Sequence, residues 1–255
     1  MKDPLIINSI IKSFRLLECF RESKSEFTLT ELVKRLNVSM GTVQRISHTL
    51  EKLGYLHRNP RTKAFRLTPK WLPFGYAYLE NLDLRDIVLP YLRELNKETG
   101  ETVNLAVLED DEIVYIERVQ TSHLLRTSVR PGARRPLVCT SIGKAVLAFL
   151  AEEEREKILN RVSFKRYTST TIVDKEKFRI ELDKIRERGY AENLGEMTEE
   201  LFGIAVPILA GDGLAIAGVN IVIPTTRVQK EKVYRQYLPS LIKKGKAVSG
   251  VFGGK

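Results

Sequence analysis

Gly41, Gln44, Arg45, His48 and Lys52 fall in one sector of a helix at about 100° per residue. Gln and Arg carry donors suited to base edges, Lys neutralises phosphate, and a glycine lets the backbone come close. Ser39 and Thr42 stand at the start of the same segment, where a hydroxyl can accept an orphan backbone N–H. Ser39, Gly41, Thr42, Gln44, Arg45, His48 and Lys52 are therefore candidate contacts to a DNA duplex. An ordinary surface helix also has a polar side, so the elements around this face decide between the two readings.

Those elements make a helix, a tight turn and a second helix. Leu32, Val33 and Leu36 sit at helical spacing until Asn37-Val38 breaks the run. Val43, Ile46, Leu50 and Leu53 form the apolar side of the reading helix. Upstream, Ile7, Ile10, Ile11, Phe14, Leu17 and Phe20 make a stripe that predicts a first helix packed under the motif. Gly54 ends the reading helix. Residues 55–58 and 64–67 then read as a hairpin whose turn, 59–63, carries Arg61 and Lys63, with Arg58 and Arg66 flanking. Such a basic wing suits a phosphate backbone or minor groove; the alternative is a hairpin that is basic only for solubility.

The net positive charge is concentrated in this N-terminal part. Residues 1–75 hold 14 Lys+Arg and 6 Asp+Glu, a net of +8 out of +10 for the whole 255-residue chain. A basic patch on the candidate reader is an electrostatic footprint for phosphate. The length allows one small and one medium domain. Cys19 and Cys139 suggest neither a disulfide framework nor a zinc knuckle. No signal peptide or membrane span is evident, and a cytoplasmic location is expected.

The chain is read as α+β in three parts. A winged helix-turn-helix covers 1–70, a helical linker 71–84, and an α+β effector-sensing domain with a central antiparallel sheet 85–255. The linker carries Trp71, Leu72, Phe74, Tyr76, Tyr78 and Leu79, where a flexible connector would be polar. Burial on a second copy of the chain is favoured, giving a homodimer or homotetramer. In the third part, helices are expected over 84–99, 141–150, 153–161, 175–188 and 228–244. Strands are expected over 102–108, 113–119, 126–129, 204–209 and 214–223.

Catalytic patterns are lacking. His48, His57 and His123 have no metal-ligand spacing, and Gly143-Lys144 fails as a phosphate loop because Val138 stands where a glycine is needed. Gly211, Gly213 and Gly218 make no dinucleotide fingerprint. Glu196, Glu199 and Glu200 read as a solvated charge run. No enzyme activity, metal or cofactor is expected. Residues 136–145 run from a loop into a helix, where Thr140, Ser141 and first-turn amides suit a carboxylate or phosphate. Thr140 or Ser141 capping its own helix is the equal alternative.

The order of these parts resembles the IclR family of bacterial transcriptional regulators over nearly the whole chain. The likeness rests on Ser39–Arg45, Leu53–Leu56 and Phe65–Pro69, then on Gly132–Leu137, Ser141–Ala145, Gly189–Asn193 and Gly203–Pro207. It implies a dimeric or tetrameric regulator that binds an operator in double-stranded DNA and a small metabolite, often an organic acid, in its C-terminal domain. It implies a pocket lined by Ser141 and Ile142, by Leu124 and Thr127, by Asn193, Leu201 and Gly203, and by Asn220 and Val222, with Thr140 at the helix start. Some relatives have acidic, sulfur or serine side chains where Asn193, Gly203, Asn220 and Val222 stand. Cys139-Thr140-Ser141, with Thr68-Pro69 and Gly75–Leu79, is similar to the branch sensing aromatic acids; sugar acids, glyoxylate and pyruvate stay open. A repressor is expected. The alternatives are a ligand-responsive activator of an aromatic-acid operon and, last, an enzyme fused to a winged helix.

Overall fold

A computed structural model describes residues 5–21, 26–80, 83–121 and 129–253. The chain divides into two compact units, 1–81 and 82–255.

In the first unit, α1 (Asn8–Glu18) is followed by α2 (Leu29–Leu36) and α3 (Met40–Lys52). Thr28 and Glu31 close a capping box on α2, each side chain bonding the other's backbone N–H. Asn37 turns the chain in the left-handed region at φ 52°, a conformation asparagine tolerates. Ser39 then caps α3 by accepting the Thr42 amide at 3.4 Å. Strands β1 (Leu56–Arg58) and β2 (Phe65–Leu67) pair antiparallel, Leu56 facing Leu67. Phe27 bridges to Phe65, and the core gathers Leu16, Phe20, Phe27, Leu32, Leu36, Val43, Leu56 and Phe65. α4 (Leu72–Glu80) follows a short 3-10 turn in which Trp71 donates to the Tyr55 carbonyl at 3.0 Å.

The α1 stripe does not pack as its spacing predicts. Leu16 and Phe20 are its buried anchors, Leu17 is half-buried, and Ile7, Ile10, Ile11 and Phe14 face solvent. The helix meets the motif only through its C-terminal end, leaving the earlier turns with no core to cover. Leu53 is exposed for a related reason: it lies past the last turn of α3 that faces α2. Leu72, Phe74, Tyr76 and Tyr78 on α4 are exposed as well.

The second unit has three layers. Its sheet has the order β5-β4-β3-β8-β7-β6, with every pair antiparallel. The strands are β3 (Thr102–Glu109), β4 (Glu112–Val119), β5 (Arg134–Pro136), β6 (Ala191–Leu194), β7 (Leu201–Leu209) and β8 (Ala215–Pro224). α6 (Ser141–Ala148) lies on one face, with α7 (Glu152–Arg161) and α8 (Lys175–Arg188) contributing to the same core. α5 (Asp83–Thr99) and α10 (Leu238–Phe252) cover the other face. Alternation along the strands separates the two sides. Gly203 and Ala205 of β7 turn toward α6, and Val206 turns toward Gly245 of α10.

Two strands, β5 and β6, are absent from the sequence-based elements. Both are short, three and four residues, and lack an apolar run to announce them. The strand expected over 126–129 falls almost wholly outside the described residues, as does His123. The last helix begins with α9 (Lys230–Lys232), passes through a π-helical turn at Val233–Tyr237, and runs to Phe252 rather than stopping near 244. Glycine at 245 and 250 weakens the helical signal there, while Leu241 and Val248 hold the segment down by burial.

α6 comes unusually close to the loop before it. A Cβ at Gly143 would lie 2.0 Å from the Leu137 carbonyl oxygen, and no rotamer change relieves a clash with backbone. Gly143→Ala is expected to destabilise the second unit by about 3 kcal/mol or more, at or beyond the top of the range for overpacking. A fall in the urea midpoint of that unit with an unchanged slope is the check.

Candidate functional site

The two units carry separate sites. In the first, nine of the ten candidate DNA contacts are exposed: Ser39, Gly41, Gln44, Arg45, His48, Lys52, Arg58, Arg61 and Lys63; Thr42 is half-buried. Gln44, Arg45, His48 and Lys52 share the open side of α3. Val43 and Ser47 are turned inward. The Ser39 and Thr42 hydroxyls lie 2.9 Å apart and bond each other, so both are engaged in capping. The wing tip is fixed by Asn59, whose side-chain oxygen accepts the Arg61 amide at 2.9 Å and the Thr62 amide at 3.3 Å. Arg58 stacks over the Phe65 ring at 5.5 Å, which ties its guanidinium to its own hairpin.

The second unit holds a cavity of about 380 Å³ at the N-terminal end of α6. It brings together Thr140, Ser141, Asn193, Leu201, Gly203, Asn220 and Val222 of the predicted effector residues. Leu124 and Thr127 lie outside the described residues. Ile142 does not line the cavity. It is fully buried against β8, where a Cβ on Gly218 would come within 2.7 Å of its Cγ2. One residue along a helix turns the side chain by about 100°, which carries Ile142 from the cavity into the core.

The polar residues of the wall hold one another in place. Thr140 is the cap of α6, accepting the Gly143 amide at 3.1 Å. Ser141 does not cap; its hydroxyl accepts from the Asn220 amide group at 3.1 Å. Asn220 in turn accepts from Asn104 at 2.8 Å, across the β3–β8 pair. The Ser141 hydroxyl, with its lone pair used by Asn220, keeps its own proton to donate. Asn193 donates to the Cys139 carbonyl at 2.5 Å and accepts the Glu196 amide at 3.1 Å. A side chain on Gly203 would meet the Ser141 hydroxyl at 2.8 Å, so glycine there keeps that hydroxyl at the cavity.

Tyr115, Val129, Arg135, Cys139, Met197, Thr198 and Phe202 complete the lining among the described residues. Tyr115 arrives on the expected strand β4, and Arg135 on β5, whose three residues are too few to show their alternation in the sequence. Burial raises the Tyr115 hydroxyl above its ordinary value, and the Arg135 charge opposes that rise. Burial, with the Glu196 charge, pushes the Cys139 thiol up to about 11; its Sγ donates weakly to the Pro136 carbonyl at 3.7 Å. Cys139 is thus a neutral, poorly nucleophilic wall residue.

Glu196 corrects the expectation of a solvated charge run. It is buried and paired with Lys144, itself only 2 % exposed. Lys144 leaves α6 on the side away from solvent, and Glu196 sits in the loop that supplies Met197 and Thr198 to the cavity. Burial raises the Glu196 carboxyl above its ordinary value, against the pull of Lys144. Among the described residues no cluster of three or more His, Cys, Asp or Glu is placed to hold a metal. Nor is any helix there long and apolar enough to cross a membrane.

A winged helix-turn-helix joined in one chain to an α+β unit with a ligand-sized cavity defines a ligand-binding transcriptional regulator. The chain belongs to the IclR family of bacterial transcriptional regulators. Its residues 9–60 match the IclR helix-turn-helix domain, and residues 76–250 match the bacterial transcriptional regulator IclR C-terminal domain. It is similar to the HTH-type transcriptional regulator KdgR of Escherichia coli (strain K12), with 36 % identity over 99 % of this chain and 95 % of that one. It is also similar to the transcriptional repressor IclR of the same strain, with 31 % identity over 97 % of this chain and 91 % of that one. Among solved structures, an IclR homolog from Microbacterium hydrocarbonoxydans complexed with 4-hydroxybenzoate superposes with a TM-score of 0.75. That match has 25 % identity and covers 94 % of this chain and 99 % of that one.

The Lys144–Glu196 pair makes a test of the cavity wall. Removing either partner leaves a buried charge without compensation, and Lys144→Met or Glu196→Leu is expected to cost about 3–5 kcal/mol. The double variant, which buries no charge, is expected to recover most of that loss. A double-mutant cycle on urea unfolding of the second unit reads the outcome.

Proposed function

We propose that the protein is an operator-binding repressor, acting in the cytoplasm, whose affinity for DNA is set by a small organic acid. The observation that carries this reading is the cavity at the start of α6. Its volume of about 380 Å³ suits a small metabolite. Its walls mix hydroxyls and amides from Thr140, Ser141, Asn193 and Asn220 with apolar Leu201 and Val222. The 4-hydroxybenzoate bound by the Microbacterium homolog supports an acid as the ligand class, and the name of the E. coli repressor supports repression over activation. The exposed side of α3 enters a major groove, with Gln44 and Arg45 at base edges, while Arg61 and Lys63 of the wing meet phosphate.

A second copy of the chain completes the reader. Phe14 on α1 is 60 % exposed, and Phe74 and Tyr76 on α4 are 60 % and 62 % exposed. Apolar surface of this density in one unit suits burial between copies, and two reading helices match paired half-sites. Sedimentation at micromolar concentration is expected to give a dimer or larger. A monomer both alone and with operator contradicts this assembly.

Gel shift on the operator recovered by footprinting next to the protein's own gene tests the whole reading. Arg45→Ala is expected to cost about 1–3 kcal/mol of operator affinity if it reads a guanine edge. Lys63→Ala is expected to weaken all duplexes alike and to flatten the salt dependence. The bound acid is expected to change operator affinity by a factor of roughly 5 to 150. Parental binding by both variants, or operator affinity indifferent to every acid that binds the protein, contradicts it.

A further inference from the structure

We infer that Arg135 is the carboxylate receptor of the cavity and the residue that restricts its ligands to acids. The inference rests on the reading of this cavity as the effector site. Arg134 and Arg135 are neighbours on β5, and strand alternation sends them to opposite faces of the sheet. Arg134, opposite Val114, is committed to structure: its Nε donates to Glu112 at 2.6 Å. Arg135, opposite Ile113, lies on the α6 side and lines the cavity.

Arg135 forms no ion pair among the described residues. One nitrogen, Nη1, donates to the Arg134 carbonyl at 2.8 Å; this bond orients the guanidinium, and its other donors have no partner among the described residues. Among the described residues that line the cavity, no other side chain is charged. A half-buried guanidinium facing a cavity without a counter-ion is stabilised by an anion, and its fork fits a carboxylate with two parallel hydrogen bonds. The charge is felt by two other wall residues, since Arg135 opposes the upward shifts of both Tyr115 and Cys139.

The neighbouring groups favour the same ligand. Tyr115 is 7 % exposed, and its hydroxyl has no hydrogen-bond partner among the described residues. Ser141, accepting from Asn220, has its proton left to give. The cavity thus presents one cation and two hydroxyl donors. The ligand class that satisfies them is a monocarboxylate bearing a further acceptor oxygen, as in a hydroxy or keto acid. An amine or a neutral amide leaves Arg135 unpaired.

Calorimetry with pyruvate, D-gluconate and 4-hydroxybenzoate, each beside its primary amide, tests the assignment on the full-length protein, Arg135→Met and Arg135→Lys. The parent is expected to bind at least one acid, and the matching amide at least about 30-fold more weakly. Arg135→Met is expected to lose at least about 30-fold for the acid, and the acid-to-amide preference is expected to vanish. Arg135→Lys keeps the charge without the fork and is expected to keep the preference at reduced affinity. Parental acid affinity in Arg135→Met overturns the inference and leaves the effector reading standing. So does equal loss of acid and amide, which marks a structural role. If Arg135→Met does not fold, an Arg135→Lys variant without acid preference overturns it in the same way. A parent that binds none of the three acids overturns the acid reading and this inference together.

Discussion

The seating of α6 on β7 and β8 is the constraint on which the second unit depends. Three glycines permit it. Gly143 lies against the Leu137 carbonyl, Gly203 against the Ser141 hydroxyl, and Gly218 against Ile142. With side chains removed from those positions, the helix start reaches the sheet, and Ser141 can join the hydrogen-bond chain from Asn104 and Asn220. The cavity is the space left beside that contact. It is walled on the remaining sides by β4, β5 and the loop after β6. A helix standing one side-chain radius further out would keep the fold and lose the pocket's polar floor.

The Lys144–Glu196 pair does a different job in the same place. Helix α6 and the 195–200 loop have no strand pairing between them, so packing and one buried ion pair fix their distance. Buried pairs contribute little to net stability, but losing one partner leaves an uncompensated buried charge. That penalty disfavours a loop displaced from the cavity, because a shifted Glu196 would leave Lys144 alone in an apolar surrounding. Asn193 adds a second constraint by bonding both the Cys139 carbonyl and the Glu196 amide.

Much of the fold was legible because it follows periodicity and caps. α3 was readable from apolar spacing, from Ser39 as cap and from Gly54 as stop, and α8 has the bounds expected over 175–188. Where the signal was a property of neighbours, reading failed. Ile7, Ile10 and Phe14 have the spacing of a buried stripe, yet they face solvent in the first unit. Glu196 has the composition of a solvated run, and only Lys144, 52 positions away, reveals otherwise. In the cavity, Thr140 and Ser141 were legible as a loop running into a helix start, while Asn193 and Asn220 were reached through the family likeness. Arg135 was inside a quoted motif but indistinguishable from Arg134 until β5 assigned each a face. Ile142 was misplaced by a single helical step.

The π-helical turn at Val233–Tyr237 gives the last helix an arithmetic of its own. One surplus residue is accommodated there, and everything after it is rotated by about 100° relative to an unbroken helix. That rotation sets Tyr237 where its hydroxyl donates to the Thr99 carbonyl at 2.9 Å. It also turns Leu241, Gly245 and Val248 inward. The far face of the sheet therefore reads the residue count between Lys230 and Leu238 as closely as it reads their identities. A gain or loss of one position there would swing the helix's inner surface round by about 100° while leaving its composition almost untouched.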